Sequence, residues 1–435
     1  MLLKRAGFLI LSIITAMFLM AGTSSAAQGE EGKIPEGPIK IGFAVPLSGV
    51  LVLQDPGAGE ASKLAAEYVN KYEGGILGRM IQPITYDTKA DPATAVNVYG
   101  KLIEDDHVEA VLGNNSSGTG IAVAPKVENK WHVPTILLES TTMAMFTKVV
   151  PKPKYVFRVG PDDLMQSVTH VVAVLKANPN VETIAIGGPD YEWGHDVVER
   201  FKEVMEAFKP GVKFVYTFFP PFAQAGPNFT PFITTIMQNH PDVYVGYMLG
   251  SDLVAWHNQA EAVGLYKKIP LAMDVMGFVS EVEGNLAEAR GGGGIFPPWA
   301  LGYPNAKYTP MLLNKIGAYP NFGMDIHMLE GLLFLKKAYE KAYALSGRYP
   351  TPEMVATAMD GLAIIGPCGV TSMIDHQSTA PGESVGRLYK TEDGKWSYKD
   401  MVFVPDYLKI VPPGMTFDQF IKTLGELRKT GQLKF

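Results

Sequence analysis

From residue 39 to residue 274, short apolar runs alternate with amphipathic stretches, and this alternation constrains the fold of the 435-residue chain more than any other feature. It predicts strands at 39–45, 81–86, 108–112, 134–138, 183–186, 213–218, 242–248 and 270–274. Helices are expected between them at 58–71, 92–104, 120–130, 164–177, 195–208, 231–239 and 251–263. In the second of these, Ala95, Val96, Tyr99, Leu102 and Ile103 share one face, the spacing of a helix packed on a sheet. Repeated strand–helix units imply an α/β chain whose parallel sheets carry helices on both faces. Ligands in such sheets lie outside the carboxyl ends of the strands. The polar turns after Val45, Leu112, Leu138, Ile186 and Met248 are therefore where a site is expected.

Beyond Asp274 the alternation stops. Glycines at 291–294 and prolines across 296–304 predict an irregular connection. Helices are expected at 324–346 and 352–359, hairpin strands at 385–389 and 401–403, and a closing helix at 417–429. The chain contains neither an internal repeat nor a low-complexity tract.

The turn after Leu112 is the most informative local stretch. Gly113-Asn-Asn-Ser-Ser-Gly-Thr-Gly120 delivers Ser116 and Ser117 to the start of a helix. The first N–H groups of a helix lack internal partners and its amino end is partly positive, so the turn is suited to an anionic group such as a carboxylate. A serine here also serves simply as a helix cap, and the turn alone leaves both readings open. Asp190-Tyr-Glu-Trp-Gly194 is a second strand-end turn. Its two aromatics fit either an apolar wall over a ligand or ordinary packing at a helix start.

The N-terminus sets the compartment. Lys4 and Arg5 precede an uncharged run over 6–22, and Thr23-Ser-Ser-Ala-Ala27 offers small residues for cleavage. That is the pattern of a secretory signal peptide cut after Ala26 or Ala27. A spanning helix needs roughly 20 apolar residues, which favours cleavage over anchoring, and no cysteine near the cut offers a lipid attachment point. Cleavage moves the formal net charge from -6 to -8. A mildly acidic chain without a basic stripe is a poor nucleic-acid binder. With Cys368 as its single cysteine the chain forms no internal disulfide, and at this length it buries enough core to do without one.

No catalytic or metal motif is present: neither H-E-x-x-H, Cys-x-x-Cys, G-x-S-x-G nor a phosphate-binding loop. Gly57-Ala-Gly59 sits too late after the first strand, and lacks the third glycine, for a dinucleotide site. The eight histidines form no close pair at ligand spacing. His376 is expected to be structural in a turn, and Cys368 a small buried residue. Neither cofactor nor metal is expected.

In order and spacing, several segments together resemble the leucine/isoleucine/valine-binding proteins, receptors of branched-chain amino acid ABC importers. They are Ile39-Lys-Ile-Gly-Phe-Ala-Val-Pro-Leu-Ser-Gly49, Gly78-Arg79, Tyr86-Asp87, Asp91-Pro92, Leu102–Gly113, Phe157-Arg-Val-Gly-Pro161, Trp193-Gly194 and Asp375-His-Gln377. The resemblance runs from about Ile39 to Phe403. It implies a type I periplasmic binding protein, with two doubly wound lobes joined by three hinge crossovers and closing on a ligand. It places the first lobe at 38–157 and 293–376 and the second at 158–292 and 377–435, after a polar, glycine-rich stretch at 28–37 that reads as a flexible leader. A monomer that serves an ABC permease from the periplasm is implied.

The family's site, carried over by position, puts the ligand carboxylate on Ser117, with backbone and threonine contacts from Ser140 and Thr142. Trp193 stands where many members have tyrosine, and Gln54 where an aromatic is frequent. The acidic partner of an amino acid's ammonium is matched by Met276, and a second-lobe tyrosine by Leu249. An uncompensated ammonium in a closed site costs several kcal/mol. Either Asp274 or Glu139 substitutes, or the ligand lacks an ammonium. The apolar set favours a carboxylate with an apolar or aromatic body over a standard branched-chain amino acid. The residues expected at the ligand are Gln54, Asn115, Ser116, Ser117, Ser140, Thr141, Thr142, Tyr191, Trp193, Leu249, Asp274 and Met276. A ligand sensor on the same fold is the runner-up reading, and an exported hydrolase the third.

Overall fold

A computed structural model describes residues 32–275 and 323–432 except 55, 368, 380–381, 395 and 406–414. The expected signal segment, the irregular connection at 291–304, Met276 and Cys368 lie outside the described residues.

Ile39–Val45 (β1) is apolar at nearly every position and buried on both faces, as a central parallel strand requires. It pairs in parallel with Ile81–Asp87 (β2) on one side and Ala110–Gly113 (β3) on the other. Thr135–Leu138 (β4) and Val156–Val159 (β5) extend the sheet in parallel. The second sheet is wholly parallel. Thr183–Gly187 (β6) lies between Lys213–Phe218 (β7) and Val243–Gly246 (β8), with Leu271–Asp274 (β9) beyond.

The alternation read from the sequence is thus present as two doubly wound sheets. The helix at Pro92–Gly100 runs on through a wider turn at Lys101–Asp105, and that at Ser117–Lys126 through one at Val127–Trp131, so both reach about as far as expected. Two helices start three residues early, at Ser117 and Glu192, because glycines in their first turns disguise the onset.

Three strands were not expected. Ala363–Gly366 (β10), Gly369–Ile374 (β11) and Gln377–Thr379 (β12) form an antiparallel edge that joins β5 through Gln377 and Arg158, giving an eight-stranded sheet. Their signal is weak because Ile365, Val370 and Ile374 point to solvent, which breaks the usual burial pattern. His376 does sit in the turn before β12, stacked on Phe157 at 4.4 Å, with Nδ1 3.0 Å from the Val156 carbonyl.

The chain crosses from the first sheet to the second after Val159, is back at the first by Ala363, and leaves it again after Thr379 for a separate two-stranded sheet that begins at Gly382. The helix Asp163–Ala177 follows the first passage and is capped by Asp162, whose carboxylate accepts from Met165 N–H at 2.8 Å. It is buried on every side from Asp163 to Leu175, between the helix Glu192–Phe208 and the hairpin Gly382–Lys390 (β13) with Trp396–Pro405 (β14). Among the described residues, no helix is long and apolar enough to cross a membrane.

Candidate functional site

In the first sheet β1 has successors on both sides, and β6 stands likewise in the second; such switch points open a crevice at the carboxyl ends of the strands. Here both crevices open onto one space. A narrow cavity of about 20 Å³ is lined by Leu51, Gln54, Asn115, Ser117, Glu139, Thr141, Gln166, Tyr191, Trp193 and Leu249. The loops after β1, β3 and β4 supply the first-sheet wall, and those after β6 and β8, with Gln166, supply the other.

The serine turn is built as an anion-facing corner. Asn114, at φ +67°, bends the chain out of β3. Ser116 occupies the cap position of the helix Ser117–Lys126, yet its side chain makes no capping bond. Its carbonyl instead accepts from Gly120 N–H, the Thr119 hydroxyl and the Ser140 hydroxyl. Ser117 lines the cavity, and its Oγ accepts from Thr142 N–H at 3.2 Å. A hydroxyl has a single proton, so that proton remains for an acceptor in the cavity. Asn115 is buried beside it, and neither polar atom of its amide has a partner among the described residues.

The turn after β4 presents alternate residues. Glu139 and Thr141 line the cavity, whereas Ser140 and Thr142 face away. The Ser140 hydroxyl is spent on the carbonyls of Ser116 and Asn114, and Gly120 lets it approach, since a β-carbon there would lie 2.7 Å from Ser140 Oγ. Thr142 Oγ1 accepts from Ala144 N–H and donates to the carboxylate of Asp196 across the cleft. The guanidinium of Arg158, fully buried, fixes this turn by donating from Nη1 to the carbonyls of Ser140, Thr141 and Thr142 at 3.0–3.2 Å. Its burial pulls its pKa below the usual arginine value.

On the opposite wall Trp193 is buried, and its indole N–H donates to Gln166 Oε1 at 3.0 Å. Its ring meets Tyr247 edge-on at 5.9 Å. Tyr191 stacks on Phe222 at 4.4 Å and separates the cavity from a wider outer groove lined by Val50, Pro92, Ser116 and Gly118. Leu249 and Leu51 complete the apolar surface, and buried Gln54 stands above it.

Asp274 is buried but does not line the cavity. Its carboxylate accepts from the hydroxyls of Tyr244 and Tyr266 and lies 3.5 Å from His257 Nδ1, all on the helix-covered side of β8 and β9. Burial and this carboxylate push both tyrosine hydroxyls well above their ordinary pKa. Of the two acidic candidates, then, Glu139 lines the cavity and Asp274 does not. Sequence reasoning did not single out Leu51, Gln166 or the clamp from Arg158. Arg158 has no local signature beyond its place in a strand, and Gln166 lies on a helix that is buried throughout.

A groove of about 500 Å³ lies elsewhere, with Ala173, Leu271, Met273, Val385 and Val402 in its walls. It gathers few polar groups, and Arg387 and Asp400 in it pair with each other at 2.7 Å. Among the described residues, no three His, Cys, Asp or Glu side chains are grouped to hold a metal ion.

The sequence pattern of the periplasmic binding protein family matches residues 38–394. Among solved structures, a solute-binding protein of an ABC transporter from R. palustris, in complex with 4-hydroxybenzoate, is 21% identical with a TM-score of 0.69; the match covers 85% of this chain and 98% of that one. A leucine-binding protein from Thermotoga maritima is 19% identical, with a TM-score of 0.65 over 84% and 98% of the two chains. At these identities the likeness is one of fold. A chemotactic signal transduction substrate-binding protein of Halobacterium salinarum is 30% identical over 135 residues, which is 30% of this chain and only 32% of that protein.

Proposed function

This chain belongs to the periplasmic binding protein family, and from that premise we propose that it is the solute receptor of an ABC importer. It is exported by its N-terminal segment to the periplasm. There it takes up a small carboxylate with an apolar or aromatic body and delivers it, as a monomer, to the permease. The observation that carries this reading is the pairing of two unlike walls around one cavity. Asn115, Ser117 and Thr141 offer donors to an anion on one side, and Tyr191, Trp193 and Leu249 offer apolar surface on the other. Closing such a cleft buries the ligand and presents a surface that the open form lacks.

The fully engaged carboxylate of Asp274 supports a ligand that does not depend on that residue for charge pairing. The 4-hydroxybenzoate in the R. palustris protein is a carboxylate of this kind. Mass spectrometry of material co-purifying with the mature chain, followed by thermal-shift tests of aliphatic, aromatic and amino carboxylates, tests the reading. A stabilising carboxylate is the expected result. Stabilisation by no carboxylate overturns it.

The chemotactic relative favours a second reading, in which the closed form is presented to a signalling partner. Loss of growth on the ligand after deletion of the gene supports the importer. Normal uptake with lost taxis supports the sensor.

A further inference from the structure

Glu139 is out of place in a cavity built for an anion. It lines the space, its side chain is wholly buried, and its Oε2 has no hydrogen-bond partner among the described residues. Oε1 is engaged by Nδ1 of His327, whose Nε2 lies 3.5 Å from Glu330 Oε2, and Glu330 Oε1 accepts from the Thr371 hydroxyl at 3.2 Å. The chain from Glu139 to Thr371 joins the cleft to the helix Gly323–Ser346 and to β11.

Two backbone features hold this arrangement. Glu139 has φ +56°, a left-handed conformation that strains an ordinary residue and persists where the surroundings impose it. Gly160, at φ +113°, leaves the space: a β-carbon there would lie 3.1 Å from Glu139 Oε1 and 3.2 Å from His327 Nδ1. A carboxylate offers only acceptors, and a buried acceptor left empty is costly. A ligand in the cavity is placed to supply that donor.

We infer that Glu139 selects, among small carboxylates, those that carry a hydrogen-bond donor at a distance from their carboxylate, a phenolic hydroxyl or an ammonium. The ligand's carboxylate sits at Ser117 and Asn115, and its donor meets Glu139 Oε2. This deepens the carboxylate-receptor reading and rests on it.

The test is calorimetric titration of the mature chain with two matched pairs, 4-hydroxybenzoate against benzoate and leucine against 4-methylpentanoate. In the pair that binds, the donor-bearing member is expected to be tighter by about tenfold or more, the worth of one hydrogen bond to a charged group. Glu139→Ala should shrink that preference to within about threefold while leaving the donor-free member within about threefold of its wild-type affinity. If that variant fails to fold, Glu139→Gln keeps the shape; it should abolish an ammonium preference and weaken a phenol preference. Equal affinities within the binding pair, or a preference that survives both substitutions, overturn this inference alone. Failure of all four compounds to bind overturns the carboxylate reading with it.

Discussion

The α-carbon of Gly250 approaches the carbonyl of Val50 so closely that a β-carbon at Gly250 would sit 2.1 Å from that oxygen. Ser251 N–H donates to the same carbonyl at 3.1 Å. Gly250 follows β8 of the second sheet and Val50 follows β1 of the first, so this contact, with that between Thr142 and Asp196, spans the cleft. Gly250 also has φ +61°. Gly250→Ala is expected to leave each lobe folded but to prevent closure, lowering ligand affinity by tenfold or more, since the added β-carbon would overlap the Val50 carbonyl when the two loops meet. Scattering that shows ligand-induced compaction in wild type but not in the variant checks this.

Ser117 is the expected anchor for the carboxylate. Ser117→Ala removes the donor to the ligand and the acceptor for Thr142 N–H, and should weaken binding by about 1–3 kcal/mol. Titration of the variant with the tightest carboxylate measures it. Unchanged affinity would move the anchor elsewhere.

Asp274 separates a structural carboxylate from a binding one. Asp274→Asn should lower stability by about 1.5–3 kcal/mol for each charge-assisted bond weakened, because Tyr244 and Tyr266 lose a charged acceptor. Ligand affinity should stay within about twofold, a few tenths of a kcal/mol. Denaturant melts and titration on one preparation distinguish the two effects.

Asp163 makes stability depend on pH. Its carboxyl, at the first crossover, is buried and faces Asp162 and Asp196; desolvation above all raises its pKa from 3.8 to about 8. Between those values the folded chain keeps a proton that the unfolded chain releases, so this group's contribution to stability falls as pH rises through the window. Asp163→Asn retains an acceptor for Met143 N–H and removes the titration. Its melting temperature should gain on wild type steadily from about pH 4 to pH 8. A constant difference across the window would contradict this.

Much of the fold was legible because its strands are apolar runs ended by polar turns, and burial on both faces leaves little ambiguity in β1, β3 or β4. The serine turn and Trp193 were legible for the same reason, lying where such runs stop. Glu139 and Thr141 were harder to read as a pair against Ser140 and Thr142. Which of the alternating residues faces the cleft is set by the left-handed bend at Glu139 and the clamp from Arg158, neither of which has a local sequence signature. The Glu139–His327 contact joins residues 188 positions apart, beyond the reach of any periodicity. Asp274 looked available because it ends a strand, but its carboxylate is drawn to tyrosines that only the folded second sheet brings near.

The central claim is that a small carboxylate binds between the two walls with its anionic group at Ser117. A crystal structure of the mature chain with its tightest carboxylate tests this most directly. The account predicts the ligand enclosed between Thr141 and Trp193, a carboxylate oxygen within hydrogen-bond distance of Ser117 Oγ. A ligand seated in the outer groove or beside Arg387, with the space at Ser117 unchanged, would contradict it.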